Sequence, residues 1–549
     1  MLAPGITHER KRIFNGGRPV VLHIVRTPPP SDLYRLRPVR AKLSDVRRET
    51  VPGMQARLSR RATPVGVNGD YFSFETGHIS GLFLRGGVLS ARPSRLRPAL
   101  ALRQDARLLM DRMTFVGTWR GNGSRRRIRD LNRPVERLPR VGLFTTFWGT
   151  ATPRARNAVE VVLAGLPKTR LDADLTGRVV DVERGGRTRI PPGGAVLQAR
   201  GSKRRALLAE APIGTTVTVR LSVPELPAGA REGLGGGPLL VRNGRVVRQA
   251  GQGFSPEGLA VRHPRTAIGQ LENGRLLFVV ADGRSSSSHG LTTRSLARVM
   301  IDLGAVSAMA LDGGGSSTIA FDGRVLNSPS DGVPRRVATG LFVHYYGIYA
   351  PPAGGTVLSP NGDGVGDRKA LAAKIVRMSD INLRLLRPNG SVAWRRTGAV
   401  EPGWIRRVIS NPRLVEGRWR WVVEATDLAT GRETHMTRAF RVNKTLGHLR
   451  LSRQTMRVHP RRGGSLGISV NVTRRARVNV VVLGSDGRIR RALFRGELEP
   501  ARHAWRWGGR TGGGAVVRSG TFVIRVTARN QLGAVALRGL VRVVRTTRR

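Results

Sequence analysis

The feature that most restricts the fold of this 549-residue chain is an internal repeat near its C-terminus. Residues 383–392 and 417–425 read as strands joined through glycine-containing turns, and residues 478–487 and 520–528 repeat that pattern about 95 residues later. Short apolar strands with regularly spaced turns are typical of two-sheet sandwiches. The repeat therefore predicts two all-β sandwich modules in tandem.

The amino-acid composition changes just before this repeat. Residues 348–357 are rich in Pro and Gly and read as a linker. Residues 1–347 mix short apolar strands, glycine turns and at least one helix. We therefore predict a multidomain chain, with a mixed α and β (α+β) domain at 1–347 and sandwiches at 358–444 and 445–549, the last ending in a basic tail.

A strand–helix–strand unit stands out in the first domain. Residues 276–281 form a continuous apolar run that ends at Asp282, and residues 308–311 form a second strand that ends at Asp312. Between them, a helix is expected over 294–303 because hydroxyl residues precede it and a glycine follows it. Polar groups at strand ends above a rigid sheet are common places for active sites.

The charge of the chain is extreme, with 95 Lys and Arg against 36 Asp and Glu, a formal net charge of +59. Lysine contributes seven of these and arginine 88, which coding bias produces without any functional demand. A polyanionic partner is the other explanation. The basic residues form no compact stripe with interleaved aromatics, and aromatics are only 5% of the chain. We therefore predict no specific nucleic-acid binding.

Three features that the sequence lacks restrict the chemistry and the location of the protein. The chain has no cysteine, which excludes disulfides, thiolate metal sites and a cysteine nucleophile. It has no apolar run long enough to span a membrane. The first residues lack a signal-peptide pattern, so either the protein stays inside the cell or a true signal lies upstream of Met1.

Five polar clusters in the first domain are candidates for a site, at residues 67–72, 263–269, 282–284, 311–318 and 327–331. Taken singly, each has a plain structural explanation as a turn or a strand exit. Together they supply the groups that cleavage of a sugar phosphate needs. Carboxylates can act as acid, base or nucleophile, arginines can grip phosphate oxygens, and a glycine-rich loop exposes backbone N–H groups.

Several of these motifs, in this order, resemble the phosphodiester glycosidase family. The runs that carry the resemblance are Arg265-Thr-Ala-Ile-Gly269, Leu277-Phe-Val-Val-Ala-Asp-Gly-Arg284, Leu311-Asp-Gly-Gly-Gly-Ser-Ser317, Asn327-Ser-Pro-Ser-Asp331 and Gly66-Val-Asn-Gly-Asp-Tyr-Phe72. The resemblance implies hydrolysis of a sugar-1-phosphate diester, such as an N-acetylglucosamine-1-phosphodiester, to free sugar and a phosphomonoester. It implies no cofactor.

The resemblance also implies which residues line the pocket. Asp312 and Asp282 are the expected catalytic carboxylates, on strands that the sequence suggests are neighbours. The expected substrate-binding residues are Asn68, Asp70, Arg265, Arg284, Gly313, Gly314, Ser316, Ser317 and Asn327. Arg265 is assigned to the phosphate, and Asn68 and Asp70 are assigned to sugar hydroxyls.

The two sandwiches resemble immunoglobulin-like modules of the flagellar hook-capping type. The first opens with residues 358–367, a segment typical of such modules on secreted bacterial enzymes. Within it Asn361, Asp363 and Asp367 offer spaced oxygen ligands for a structural calcium, for which a plain turn is the alternative. No catalytic metal is predicted.

The leading hypothesis is a glycosidase that acts on cell-surface or exopolysaccharide material. Its expected location is extracellular or associated with the cell wall, and its expected partners are a carbohydrate or phosphoglycan substrate and an anionic wall polymer. The alternative is a non-catalytic carbohydrate-binding or wall-attachment protein that keeps the fold without the turnover.

Overall fold

The computed structural model describes residues 1–42, 48–134, 139–353 and 357–546. The chain divides into two compact units, Met1–Tyr346 and Gly347–Arg549. Strands dominate both units, and the first unit alone contains helices, all of ten residues or fewer in the described ranges. The predicted α+β character of the first domain is therefore met only in part, because it is mostly β.

The strands of the first unit are β1 (Thr7–Asn15), β2 (Arg18–Thr27), β3 (Tyr34–Arg40), β4 (Glu49–Thr50), β5 (Thr63–Asn68), β6 (Phe83–Arg85), β7 (Val88–Ala91), β8 (Ala99–Leu102), β9 (Leu108–Asp111), β10 (Val116–Arg120), β11 (Arg126–Ile128), β12 (Asp130–Leu131), β13 (Val141–Thr145), β14 (Arg154–Ala164), β15 (Asp174–Gly186), β16 (Ala195–Ala199), β17 (Thr216–Ser222), β18 (Glu232–Gly235), β19 (Leu239–Arg242), β20 (Arg245–Val246), β21 (Arg265–Leu271), β22 (Leu276–Ala281), β23 (Ala305–Ala310), β24 (Ile319–Phe321), β25 (Arg324–Val325), β26 (Arg336–Val337) and β27 (Thr339–Tyr345). The helices are α1 (Val51–Leu58), α2 (Lys203–Glu210), α3 (Pro256–Ala260) and α4 (Thr293–Asp302).

A seven-stranded sheet forms the centre of the first unit, in the order β1-β2-β22-β21-β23-β19-β20. All six residues of β22 are buried, as expected for its continuous apolar sequence. Helix α4 begins after Thr292, whose side chain accepts a hydrogen bond from the Ser295 N–H, and its apolar face packs on this sheet. The predicted strand–helix–strand unit is confirmed, with the helix one residue earlier than expected.

A second, five-stranded sheet lies beside the first, in the order β25-β24-β5-β27-β3. Strand β5 ends at Asn68, and the next carbonyl, that of Gly69, accepts a hydrogen bond from the Asp312 N–H at 3.1 Å. The ends of β5 and β23 therefore meet at one place. This junction brings residues far apart in the sequence into one site.

Two further sheets belong to the remainder of the first unit. An eight-stranded sheet, in the order β11-β10-β17-β15-β14-β16-β13-β12, has its own core around the buried Trp119. A five-stranded sheet, in the order β7-β6-β18-β8-β9, carries Gly235 at the end of β18. Through Gly235 this last sheet contacts the site described below.

The second unit contains only strands in its described residues. They are β28 (Val357–Leu358), β29 (Lys369–Ile375), β30 (Ser379–Leu386), β31 (Val392–Val400), β32 (Gly403–Ile409), β33 (Gly417–Asp427), β34 (Glu433–Val442), β35 (Leu446–Leu451), β36 (Thr455–Val458), β37 (Leu466–Val472), β38 (Ala476–Leu483), β39 (Ile489–Leu498), β40 (Ala501–Trp507), β41 (Gly520–Asn530) and β42 (Gly533–Arg545).

The strand order of the second unit repeats itself. A five-stranded sheet β28-β34-β33-β30-β31 accompanies the pair β29-β32, and a five-stranded sheet β36-β42-β41-β38-β39 accompanies β35-β37-β40. In both copies an N-terminal strand pairs in parallel with the last strand, β28 with β34 and β36 with β42, although β35 precedes β36 in the second copy. The repeat seen in the sequence is thus a repeat of topology. The immunoglobulin-like identity and the boundary near residue 445 stay predictions.

The segment predicted as a linker differs from that prediction at its start. Ile348, Tyr349 and Ala350 are buried, and the Ile348 N–H donates to the Thr434 hydroxyl at 3.1 Å. Their apolar side chains explain this, since exposing them to water would cost free energy. Residues 354–356 of the predicted linker and 547–549 of the predicted basic tail lie outside the described residues. Among the helices of the described ranges, none has the length and apolarity to cross a membrane.

Candidate active site

Asp312 lies where the two central sheets of the first unit meet. Its backbone N–H is held by the Gly69 carbonyl, and its own carbonyl accepts from the Asn68 side-chain amide at 2.7 Å. The carboxylate is partly exposed and lies beside the Ser316 hydroxyl and the Gly313 N–H. Burial raises the pKa of Asp312 to about 6, the Ser316 hydroxyl opposes this, and the nearby Asp70 carboxylate adds to it.

The carboxylate that interacts with Asp312 is Asp70. Asp70 is 1% exposed, and its Oδ1 accepts from the Tyr71 N–H at 2.7 Å. A Cβ on Gly81 or Gly235 would lie 2.5 or 2.3 Å from the Asp70 Oδ2, so glycine at both positions leaves room for this oxygen. Burial raises the pKa of Asp70, while Arg97 at 3.6 Å opposes that shift.

Asp282 has different surroundings. Strand β21 lies between β22 and β23, so Asp282 and Asp312 are two strand spacings apart, about 10 Å, and the expectation of neighbouring strands was wrong. Asp282 is 6% exposed, and its carboxylate accepts from His23 at 3.1 Å and from the Asn327 side chain and Ser328 N–H at 3.2 and 3.1 Å. These bonds occupy both oxygens.

Asn68 and Asn327 also make internal bonds. The Asn68 Oδ1 accepts from the Thr266 hydroxyl and the Thr318 N–H, at 2.9 and 3.1 Å. The Asn327 Oδ1 accepts from the Ile319 N–H at 3.0 Å, and its Nδ2 donates to the Ser317 carbonyl at 3.1 Å. Both amides therefore hold the loop that follows Asp312.

Three arginines lie over three consecutive glycines of this loop. A Cβ on Gly313 would lie 3.7 Å from the Arg265 Cδ, and one on Gly314 would lie 3.1 Å from the Arg284 Nη2. A Cβ on Gly315 would lie 2.0 Å from the Arg335 Nη2. The absence of side chains at Gly314 and Gly315 therefore lets the guanidinium groups of Arg284 and Arg335 approach the backbone beside Asp312, while the aliphatic part of Arg265 lies near Gly313.

The guanidinium of Arg265 is anchored on one side. Its Nε donates to the Leu291 carbonyl at 3.0 Å, and its Nη2 donates to the carbonyls of Gly258 and Val261 at 3.0 and 2.7 Å. Its Nη1 makes none of these bonds. The charge of Arg265 lowers the pKa of Tyr71, and the charge of Asp312 raises it. Arg265 therefore belongs to the same cluster as these two residues.

Arg284 and Arg335 share one carboxylate, that of Asp331. Arg335 contacts it at 2.7 Å and Arg284 at 4.0 Å. Arg284 also contacts the His263 ring at 3.4 Å, and the pKa of His263 is lowered by burial and by the charges of Arg265 and Arg284. This part of the cluster is positively charged at neutral pH.

The loop also carries buried hydroxyls. The hydroxyl oxygens of Ser316, Ser317 and Thr318 are buried and have no hydrogen bond of ordinary geometry to the described residues. Buried polar groups are normally satisfied by protein, water or ligand. The Ser316 hydroxyl lies beside the Asp312 carboxylate and favours its ionised form, so the hydroxyls of Ser317 and Thr318 are the ones without a partner in the described residues.

The structure thus brings Asp70, Arg265, Arg284, Gly313, Gly314, Ser316 and Ser317 together with Asp312, and connects Asp282 and Asn327 to them through the loop. Sequence reasoning missed Arg97 and Arg335. The Arg97 guanidinium lies 4.8 Å from the centre of the Tyr71 ring, and the Tyr71 hydroxyl donates to the Gly237 carbonyl at 3.1 Å. No local signal separates these two arginines from the others in an arginine-rich chain.

No group of three or more metal-binding side chains occurs in the described ranges. In the loop considered for calcium, the Asp367 carboxylate accepts from the N–H groups of Asn361, Gly362 and Gly364 at 2.7–2.9 Å. Asp363 accepts from the His448 N–H at 2.8 Å. These oxygens are therefore engaged by backbone donors of the second unit.

Comparison with known proteins gives a family match over the part of the chain that contains several residues of this cluster. A family model described as phosphodiester glycosidase matches residues 169–344, which contain Arg265, Asp282 and Asp312. The SPbeta prophage-derived uncharacterized protein YomE of Bacillus subtilis (strain 168) is 38% identical over 117 residues, 21% of this chain and 18% of that protein. The human N-acetylglucosamine-1-phosphodiester alpha-N-acetylglucosaminidase is 30% identical over 188 residues, 31% of this chain and 34% of that enzyme.

A solved structure shares the fold. A hypothetical protein from Synechocystis superposes with a TM-score of 0.54 and 24% identity, over 62% of each chain. The chain spans about a third or less of the length of the two curated relatives. Residues 169–344 therefore match the phosphodiester glycosidase family model, over about a third of this chain.

Proposed function

We propose that the first unit hydrolyses a sugar-1-phosphate diester to free sugar and a phosphomonoester. The observation that carries this proposal is a pair of neighbouring carboxylates, the buried Asp70 and the partly exposed Asp312, beside the arginines at the glycine loop. Carboxylates with raised pKa values are typical of acid–base catalysts, and a cluster of guanidinium groups favours a substrate with phosphate oxygens.

The chemistry needs one bond broken and one formed. Water adds its oxygen to the anomeric carbon, the bond from that carbon to the phosphate oxygen breaks, and the phosphate leaves as a monoester. Because a phosphate is a good leaving group, its developing charge needs stabilisation more than protonation. We propose that Arg265, Arg284 and Arg335 supply that stabilisation, because they lie beside the glycine loop.

We assign Asp312 as the group that removes a proton from the attacking water. Its pKa of about 6 lets it be ionised, and still basic, near neutral pH. Asp70 lies next to it and is proposed to contact the sugar. Asp282, Asn68 and Asn327 are proposed to position the loop rather than to contact the reacting atoms.

The test uses N-acetylglucosamine-1-phosphate esterified to a chromogenic alcohol, with free sugar as the product measured. Asp312→Asn should lower turnover by about 10²–10⁴-fold, the usual contribution of a general base. Asp302→Asn, the same chemical change at an exposed position at the end of α4, should leave turnover within about twofold of the wild type.

Two outcomes would reject the assignment. Near wild-type turnover in Asp312→Asn would remove this carboxylate from the reaction. No release of sugar by the wild-type chain from diesters of several sugars would favour the alternative, a carbohydrate-binding or wall-attachment protein without turnover. The proposed location, extracellular or at the cell wall, is a separate proposal that fractionation of the producing cells tests.

A further inference from the structure

The first sandwich of the second unit has an open cleft between its two sheets. The cleft lies between β31, at the edge of the five-stranded sheet, and β32, in the two-stranded pair. Its volume is about 400 Å³, within the range of about 300–1,000 Å³ that is usual for ligand sites. It lies in a different unit from the glycosidase cluster and is unrelated to the chemistry proposed there.

Three arginines and two tryptophans belong to the lining of this cleft, and one of the two tryptophans is buried. Arg387, Arg407 and Arg413 contribute guanidinium groups, and among the described residues no carboxylate lines the cleft. The Arg407 guanidinium lies 5.1 Å from the centre of the Trp394 ring, which is only partly buried. Val415, also in the lining, is 59% exposed.

The charges of Arg407 and Arg413 are not neutralised within the protein. In the described ranges neither guanidinium has a hydrogen bond or an ion pair, whereas Arg377 in the same sandwich contacts Asp427 at 2.6 Å. Residues 387–413 carry six arginines and a single acidic residue. An anion that enters the cleft would therefore bind these guanidinium groups without breaking a hydrogen bond or an ion pair within the described residues.

The second copy has an aromatic contact at the corresponding strand position. Arg407 lies two residues before the end of β32, and Trp505 lies two residues before the end of the equivalent strand β40. Trp505 packs on Phe494, with ring centres 5.7 Å apart. The arginine of the first copy thus stands where the second copy has an aromatic contact.

We propose that this cleft binds a sugar chain that carries phosphate groups. The apolar side chains of the lining, Trp394 and Val415 among them, pack against the C–H groups of the sugar rings, and Arg407 and Arg413 bind phosphate oxygens. The choice of phosphate rests on the proposed function of the first unit. A single accessible indole beside aliphatic side chains favours a sugar chain over a nucleic acid, which stacks successive bases on several aromatic platforms.

The test measures binding with the full chain in the Asp312→Asn background, so that turnover does not remove the ligand. The probe is a phosphomannan that carries mannose-1-phosphate diesters, immobilised on a sensor at physiological salt. Arg407→Ala with Arg413→Ala should weaken binding by about tenfold or more, as expected when charge-assisted contacts are lost. Arg406→Ala with Arg418→Ala removes the same charge from exposed positions outside the cleft and should change binding less than about twofold.

Four outcomes would overturn the proposal. They are no binding of phosphomannan, equal weakening in both double variants, equally tight binding of the same mannan without phosphate, and tighter binding of single-stranded oligothymidylate. The last would establish a nucleic-acid site instead. Arg413→Ala alone, in an exposed loop, serves as a second variant if the double variant unfolds.

The two proposals fail separately. Release of sugar from the small chromogenic diester does not require the cleft, so it tests the first unit alone. If that release is absent but phosphomannan binding depends on Arg407 and Arg413, only the glycosidase proposal is rejected. If release occurs and binding does not depend on them, only the cleft proposal is rejected.

Discussion

Asp312→Asn should make the protein more stable at neutral pH while it abolishes turnover. Burial raises the pKa of Asp312 from an ordinary value of 3.8 to about 6. At about 1.4 kcal/mol for each tenfold change in proton affinity, ionising this carboxyl in the folded protein costs about 3 kcal/mol of folding free energy. Asparagine has nearly the same shape and never ionises.

The pH dependence of this effect follows from linkage. Between about pH 4 and pH 6 the folded protein keeps the Asp312 proton while the unfolded chain has lost it, so stability falls as the pH rises through this window. Above about pH 6 the wild type carries the full cost. The difference in unfolding free energy between Asp312→Asn and the wild type should therefore move by up to about 3 kcal/mol in favour of the variant from pH 4 to pH 8.

Urea denaturation at several pH values measures this difference, with the fluorescence of tryptophans in the first unit, such as Trp119 and Trp148, as the signal. The pH-dependent part isolates the ionisation, because any change of packing in the variant contributes equally at every pH. A difference that stays constant from pH 4 to pH 8 would refute the reasoning. It would mean that the carboxylate is solvated in the folded state and has an ordinary pKa.

The remaining predictions test other parts of the structure. Burial raises the pKa of Glu232 to about 7, so its contribution to stability falls as the pH rises from about 4.5 to 7, and Glu232→Gln should remove up to about 3 kcal/mol of that pH dependence in urea titrations. Gly315→Ala should displace Arg335 and raise KM for the diester, whereas Gly513→Ala, where nothing lies within 4 Å of the added carbon, should leave KM unchanged. Asp367→Ala should lower the unfolding free energy of the second unit by about 1–2 kcal/mol, because three backbone N–H groups lose their acceptor, and an unchanged midpoint would contradict this.

The central part of the fold was predictable from the sequence because local pattern determines it. The apolar run at 276–281, the helix after Thr292 and the strand before Asp312 each carry their own periodicity and end signals. The mostly β character of the remainder of residues 1–347 was not predictable in the same way. Its strands are short and pair across long sequence separations, and local pattern does not report such pairing.

Site residues were predictable only where the residue type suits the proposed chemistry and the residue also follows a recognisable strand. Asp312 and Asp282 look alike in the sequence, since each follows a buried strand, and contacts from His23 and Asn327 alone distinguish the second as a held carboxylate. Arg335 forms an ion pair with Asp331 and lies against the glycine loop at Gly315. Among 88 arginines, no sequence signal marks that one.

The parallel pairing of β28 with β34 and of β36 with β42 has a mechanical consequence. If the two strands of such a pair are pulled from their opposite ends, they are drawn in opposite directions along their common axis, so the hydrogen bonds between them are loaded together in shear instead of opening one after another. Two residue pairs join β28 to β34, and four join β36 to β42. Under such a load the β36–β42 pair should therefore hold a higher force than the β28–β34 pair.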